Sequence, residues 1–150
     1  MLKIIHPNYF AILIATLSGI ILGIIWYSPF LFRKVWLADI ERNEHDIRRT
    51  LIPFLISVVG IYILGIILDT FLRFSDLVGY DGFFDVTVIG LIVSIGIIAL
   101  NMLSDYMISG AHIKFFIVHA GFRIILTLVM SWVLWLLIYS GMDIFQLFRN

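Results

Sequence analysis

Cysteine is absent from the 150 residues, proline occurs three times, and charged side chains make up only 13%. Without cysteine there is no disulfide framework, no thiolate metal site and no cysteine nucleophile. Charged residues fill about 25% of an ordinary soluble sequence, so this chain has too few to build a water-facing shell. Its 62% content of hydrophobic residues is equally far from a disordered segment. Lys and Arg number ten, as do Asp and Glu, which leaves no net field to attract nucleic acid or an acidic substrate. A nucleophile elbow, a phosphate-binding glycine loop and a zinc-protease helix are also missing. Acid pairs such as Glu44 and Asp46 stand in a polar, helix-capping context. The expectation is a membrane protein that is not an enzyme, uses no cofactor and binds no nucleic acid.

What the sequence has instead is four charge-free runs, 4–32, 50–68, 86–104 and 124–142. Each is about 19 residues or longer, and at about 1.5 Å of rise per residue such a run crosses a hydrocarbon core about 30 Å thick. The fold class that follows is all-α: a polytopic membrane protein, one domain over 1–150, with transmembrane helices near 9–27, 51–69, 86–104 and 115–139. Pro7 and Pro29 bracket the first span, and each proline disfavours helix immediately upstream of itself. That span is too long for a cleavable signal peptide and lacks a small-x-small site after it, so it is expected to stay. Pro53 falls early in the second span, and Arg123 is expected to be the only charge inside any of the four.

Orientation follows from the basic residues. Arg33, Lys34, Arg42, Arg48 and Arg49 fall in the first loop and Lys114 in the third, against Lys3, Arg73 and Arg149 on the other side. The positive-inside rule then places loops one and three in the cytoplasm and both termini outside, in the cytoplasmic membrane if the cell is prokaryotic. The second loop, with Asp69, Asp76, Asp81 and Asp85, would face the exterior. Aromatic residues mark both interfaces, with Trp26, Tyr27, Trp36 and Tyr106 at one and Tyr9, Tyr80, Trp132, Trp135 and Tyr139 at the other. Phe32, Trp36 and Ile40 recur every four residues beside Arg33, Lys34 and Glu41, which predicts a short interfacial helix after the first span.

The stretch Leu22-Gly23-Ile24-Ile25-Trp26-Tyr27-Ser28-Pro29, followed by Leu31-Phe32-Arg33-Lys34-Val35-Trp36, resembles the first-helix signature of the uncharacterised family called domain of unknown function 1761. Trp26, Tyr27, Pro29, Lys34 and Trp36 carry that signature. Lys114-Phe115-Phe116-Ile117-Val118-His119-Ala120-Gly121-Phe122 is similar to a second stretch of the same family at its fourth span. Two positions depart from the pattern: Arg33 stands where the family has Gly, and His119 where it has Asn. The resemblance implies a small bacterial or archaeal protein with four transmembrane helices, and it carries no established activity.

Two constellations stand out. Ala11, Ala15, Gly19 and Gly23 put a small residue at every fourth position of the first helix, a flat ridge that lets another helix approach, in the same chain or in a second copy. On the fourth helix His112, His119 and Arg123 share a face, and on the third Asn101 and Asp105 do so. A short connection at Gly110 makes these helices antiparallel neighbours, so Asn101, Asp105, His119 and Arg123 are expected to converge. An arginine in hydrocarbon costs about 2.5–3.5 kcal/mol on insertion scales, and something must offset that. Three readings compete: the groups satisfy one another, they bind a lipid head group or small anion with help from Arg48 and Arg49, or they line a path with His119 as the titrating group. Metal binding is disfavoured, because only Asp105 joins the two histidines. An enzymatic reading would need Asp105 and His119 as acid and base. The leading expectation is a non-enzymatic protein that binds a lipid, a small ligand or a membrane partner in the inner half of the bundle, and that forms oligomers. The alternative is a small oligomeric transporter or channel subunit with the four-residue cluster on its pathway.

Overall fold

The computed structural model describes residues 7–35, 47–110 and 112–139. Helix α1 spans Tyr9–Trp26, and Asn8 caps it by accepting the Ala11 N–H at 3.1 Å, which satisfies one of the donors a helix start leaves bare. Helix α2 spans Ile47–Leu77 with Pro53 in its second turn, where the proline removes one backbone hydrogen bond from the helix. Gly79, at φ 84°, turns the chain into the third span. That span begins as α3, Phe83–Leu91, with Asp85 accepting the Gly82 N–H at 3.2 Å. It continues as a π-helical segment, Ile92–Ala99, and ends as α4, Leu100–Ser109. Gly110, at φ 67°, stops α4 in the left-handed conformation that glycine adopts without strain. Helix α5 spans Ile113–Tyr139.

Helix α5 packs against every other helix, and α1 lies against both α2 and α5. The core runs along this central helix: Phe122, Leu126, Met130 and Leu134 meet Ala11, Ile12 and Ala15 from α1 and Ile61, Leu68 and Leu72 from α2. The small ridge of α1 faces inward. Ala11, Ala15 and Gly19 are buried and Gly23 is half-buried, and a Cβ at Gly19 would stand 2.7 Å from Leu126 and 3.0 Å from Ile61. Within the chain, then, the ridge is what brings α1 close to α2 and α5.

All described secondary structure is helical, and four helices are long and apolar enough to cross a membrane: Tyr9–Trp26, Ile52–Leu77, Phe83–Ser109 and Ile113–Ile138. Their outward faces carry large apolar side chains, among them Ile24, Ile56, Ile63, Ile92 and Ile117. Two expectations need correction. Helix α2 continues two turns beyond residue 69, so Asp69 is a fully buried helical residue and not part of an exposed loop. It pairs with Arg73 at 2.9 Å, so Arg123 is not alone as a charge within a span. The interfacial segment is described only at its start, where 33–35 are helical; Trp36 and the acids at 44 and 46 lie outside the described residues.

Candidate functional site

At the end of the bundle where α1 finishes, α4 finishes and α5 begins, aromatic side chains gather around His119. Pro29 prevents α1 from continuing, and the chain folds back so that the Phe32 N–H donates to the Trp26 carbonyl at 3.1 Å. This return lays the Phe32 ring 4.7 Å from that of Trp26. Trp26 also packs on Phe122, at 6.1 Å, and Tyr27 meets Phe122 edge-on at 5.2 Å. The Tyr27 hydroxyl shares a hydrogen bond of 3.1 Å with His119 Nδ1. From the third span Tyr106 contacts His119 at 6.2 Å and Phe116 at 5.9 Å. Residues of the Trp-Tyr-Ser-Pro signature thus wall the site.

Arg123 lies one turn beyond His119 and is half-buried. Its guanidinium carbon stands 5.9 Å from the centre of the Phe122 ring, within the range of a cation–π contact. Among the described residues it has no carboxylate within ion-pair distance. The Trp26 indole N–H is buried on the same aromatic cluster and has no acceptor among the described residues. Both groups can only donate, so the arrangement favours oxygen-rich, negatively charged groups.

The four residues expected to converge do not all meet. His119 and Arg123 share the half-buried face of α5, whereas Asn101 and Asp105 are exposed. The Asn101 amide donates to the Ile97 carbonyl of its own helix. His112 is also exposed, packed edge-on against Phe115. The physical reason is the π segment. Its wider turn, visible in the Leu100 N–H donating to Ile95 O five residues back, rotates α4 so that Tyr106 faces His119. Sequence periodicity missed Tyr27 and Tyr106 as neighbours of His119, although both had been placed at that interface. Among the described residues no group of three or more His, Cys, Asp or Glu side chains stands together as metal ligands would. The side chains of Arg48 and Arg49 lie outside the described residues.

At the opposite end, Trp132 donates to the Thr87 hydroxyl at 3.0 Å and Trp135 to the Asp81 carbonyl at 2.8 Å. Phe83 packs on both indoles, at 5.7 and 5.5 Å. These contacts fasten the start of the third span to the end of α5 and leave the polar group around Arg123 as the main candidate for ligand recognition.

A family model described as a protein of unknown function, DUF1761, matches residues 10–135. No curated protein and no solved structure matches the chain. The matched stretch includes the Trp26-Tyr27 corner, the third span and nearly all of α5, so the chain belongs to the DUF1761 family of proteins of unknown function.

Proposed function

We propose that the protein is a non-enzymatic membrane protein that binds an anionic, oxygen-rich group, with a phospholipid phosphate as the leading candidate. The site would lie in the cytoplasmic half of the bundle, with both termini outside. The observation that carries this reading is Arg123: a half-buried arginine inside a span, its guanidinium over the Phe122 ring and with no carboxylate within ion-pair distance among the described residues. It stands nine residues after Lys114, about 13 Å along the helix axis, a depth from which an arginine side chain reaches toward the head groups. Basic pockets between helices on the cytoplasmic side suit phosphate head groups, and guanidinium pairs with phosphate through two parallel hydrogen bonds. The buried Trp26 N–H adds a second donor on the same aromatic cluster.

Native mass spectrometry of the protein released from mild detergent tests this directly. Wild type is expected to retain phospholipid, and Arg123→Ala to lose most of it at unchanged subunit mass. Arg123→Lys, which keeps the charge but not the planar fork, is expected to fall between them. Equal lipid retention by wild type and Arg123→Ala would refute the reading.

A further inference from the structure

The third span carries two inner faces in one sequence. From Val86, Gly90 and Ser94, which are buried, α-helical steps continue through Ile97, Asn101, Ser104, Asp105 and Ile108. All five of these are exposed, and the residues turned inward from the end of the π segment onward are Ala99, Met102, Leu103 and Tyr106. The intervening eight residues, Ile92–Ala99, account for the difference, because hydrogen bonds that reach five residues instead of four make a wider turn. Among the described residues nothing stands within 4 Å of a Cβ placed at Gly96, in the middle of the segment, so the outer side of the wide turn has room to change while Val93 and Ser94 hold its inner side against the core. The π register also leaves Asn101 and Asp105 on the outside of a membrane-spanning helix, where the Asn101 amide turns back to the Ile97 carbonyl of its own helix and hydrocarbon solvates a carboxylate poorly. On the inside, Arg123 faces no carboxylate among the described residues.

We propose that the third span exchanges between this π-containing register and an unbroken α-helix, and that the second register forms a site in which Asn101 and Asp105 face His119 and Arg123. In the α register the polar stripe leaves the lipid face and the Asp105 carboxylate pairs with the Arg123 guanidinium. Tyr106 turns away from His119, while the Tyr27 hydroxyl, on a different helix, stays with it. The sequence thus holds two sets of partners for one arginine-bearing face, selected by how one segment winds.

The chain has no cysteine of its own, so introduced pairs report on the two registers without background. Leu103→Cys with Ala120→Cys reads the π register, because Leu103 is turned inward and Ala120 is buried one residue past His119. Ser104→Cys with Ala120→Cys reads the α register, and neither pair removes Asn101, Asp105, His119 or Arg123. Oxidation of the full-length protein in membranes is expected to link both pairs. Adding Asp105→Ala is expected to cut the Ser104 pair's yield about tenfold relative to the Leu103 pair, the effect of losing a charge-assisted hydrogen bond. Linkage of one pair only, whichever it is, overturns the exchange, and a Ser104 yield indifferent to Asp105→Ala overturns the site. If the paired variants fail to insert, the Gly96 amide of the unmodified chain decides by nuclear magnetic resonance. Exchange between two environments supports the proposal, and a single signal without exchange broadening removes it.

Discussion

Among the described residues Asp69 is the one charged side chain that is fully buried. Its side chain has no exposed surface, one carboxylate oxygen takes the Arg73 Nε–H at 2.9 Å, and the other is buried without a partner among the described residues. Arg73 keeps 24% of its side-chain surface exposed, so the two members of the pair are not equivalent. Removing the arginine strands a buried carboxylate, whereas neutralising the aspartate frees an arginine that can reach outward. Arg73→Ala is therefore expected to cost about 1.5–3 kcal/mol, the scale for a lost hydrogen bond to a charged group, and Asp69→Asn distinctly less. The double change Asp69→Leu with Arg73→Met should regain much of the loss, since an apolar pair of similar volume often equals or exceeds a buried ion pair. Thermal unfolding of the three variants in one detergent ranks them, and equal losses for Arg73→Ala and Asp69→Asn would contradict the asymmetry.

At the scale of elements, close approach along α1 is the most sharply testable feature. Gly19 stands where a Cβ would come within 2.7 Å of Leu126 and 3.0 Å of Ile61, so a large side chain must push α1 off both α2 and α5. Gly19→Leu is expected to destabilise the bundle by about 1–3 kcal/mol, the usual cost of overpacking, and to lower its unfolding temperature in detergent. An unchanged temperature would mean that the helices part without penalty. The ridge was legible in the sequence because four small residues at one spacing are hard to read otherwise. The spans were legible for a similar reason: a helix must carry some twenty apolar residues to cross. Their ends were not, because α2 runs on through Asp69, Arg73 and Asp76 to Leu77, with charges that pair or reach water. Convergence of Asn101 and Asp105 on Arg123 was read from their shared face and the short connection at Gly110, which set depth but not which face turns inward; the π segment Ile92–Ala99 sets that. The string Ile-Val-Ser-Ile-Gly-Ile-Ile-Ala offers only a faint hint, through β-branched residues and a glycine that are weak α-helix formers.

The whole molecule sets what the site can see. Its exterior is apolar along most of the four spans, the stripe of Asn101, Ser104 and Asp105 excepted, and Arg123 stands nearer the end that carries Arg33, Lys34 and Lys114. Basic loops stay on the cytoplasmic side during insertion, so the bundle is expected to present Arg123 to the inner leaflet. Because the chain lacks cysteine, single substitutions at exposed positions next to the turns report its orientation: Tyr80→Cys between the second and third spans, and Ser109→Cys at the end of the third. In intact cells a membrane-impermeant maleimide is expected to label Tyr80→Cys and spare Ser109→Cys until the membrane is opened. The reverse pattern would put Arg123 in the outer half of the bilayer. A phosphate ligand would then have to come from the outer leaflet or from outside the cell, and the anionic lipids of the cytoplasmic surface would no longer be its natural source.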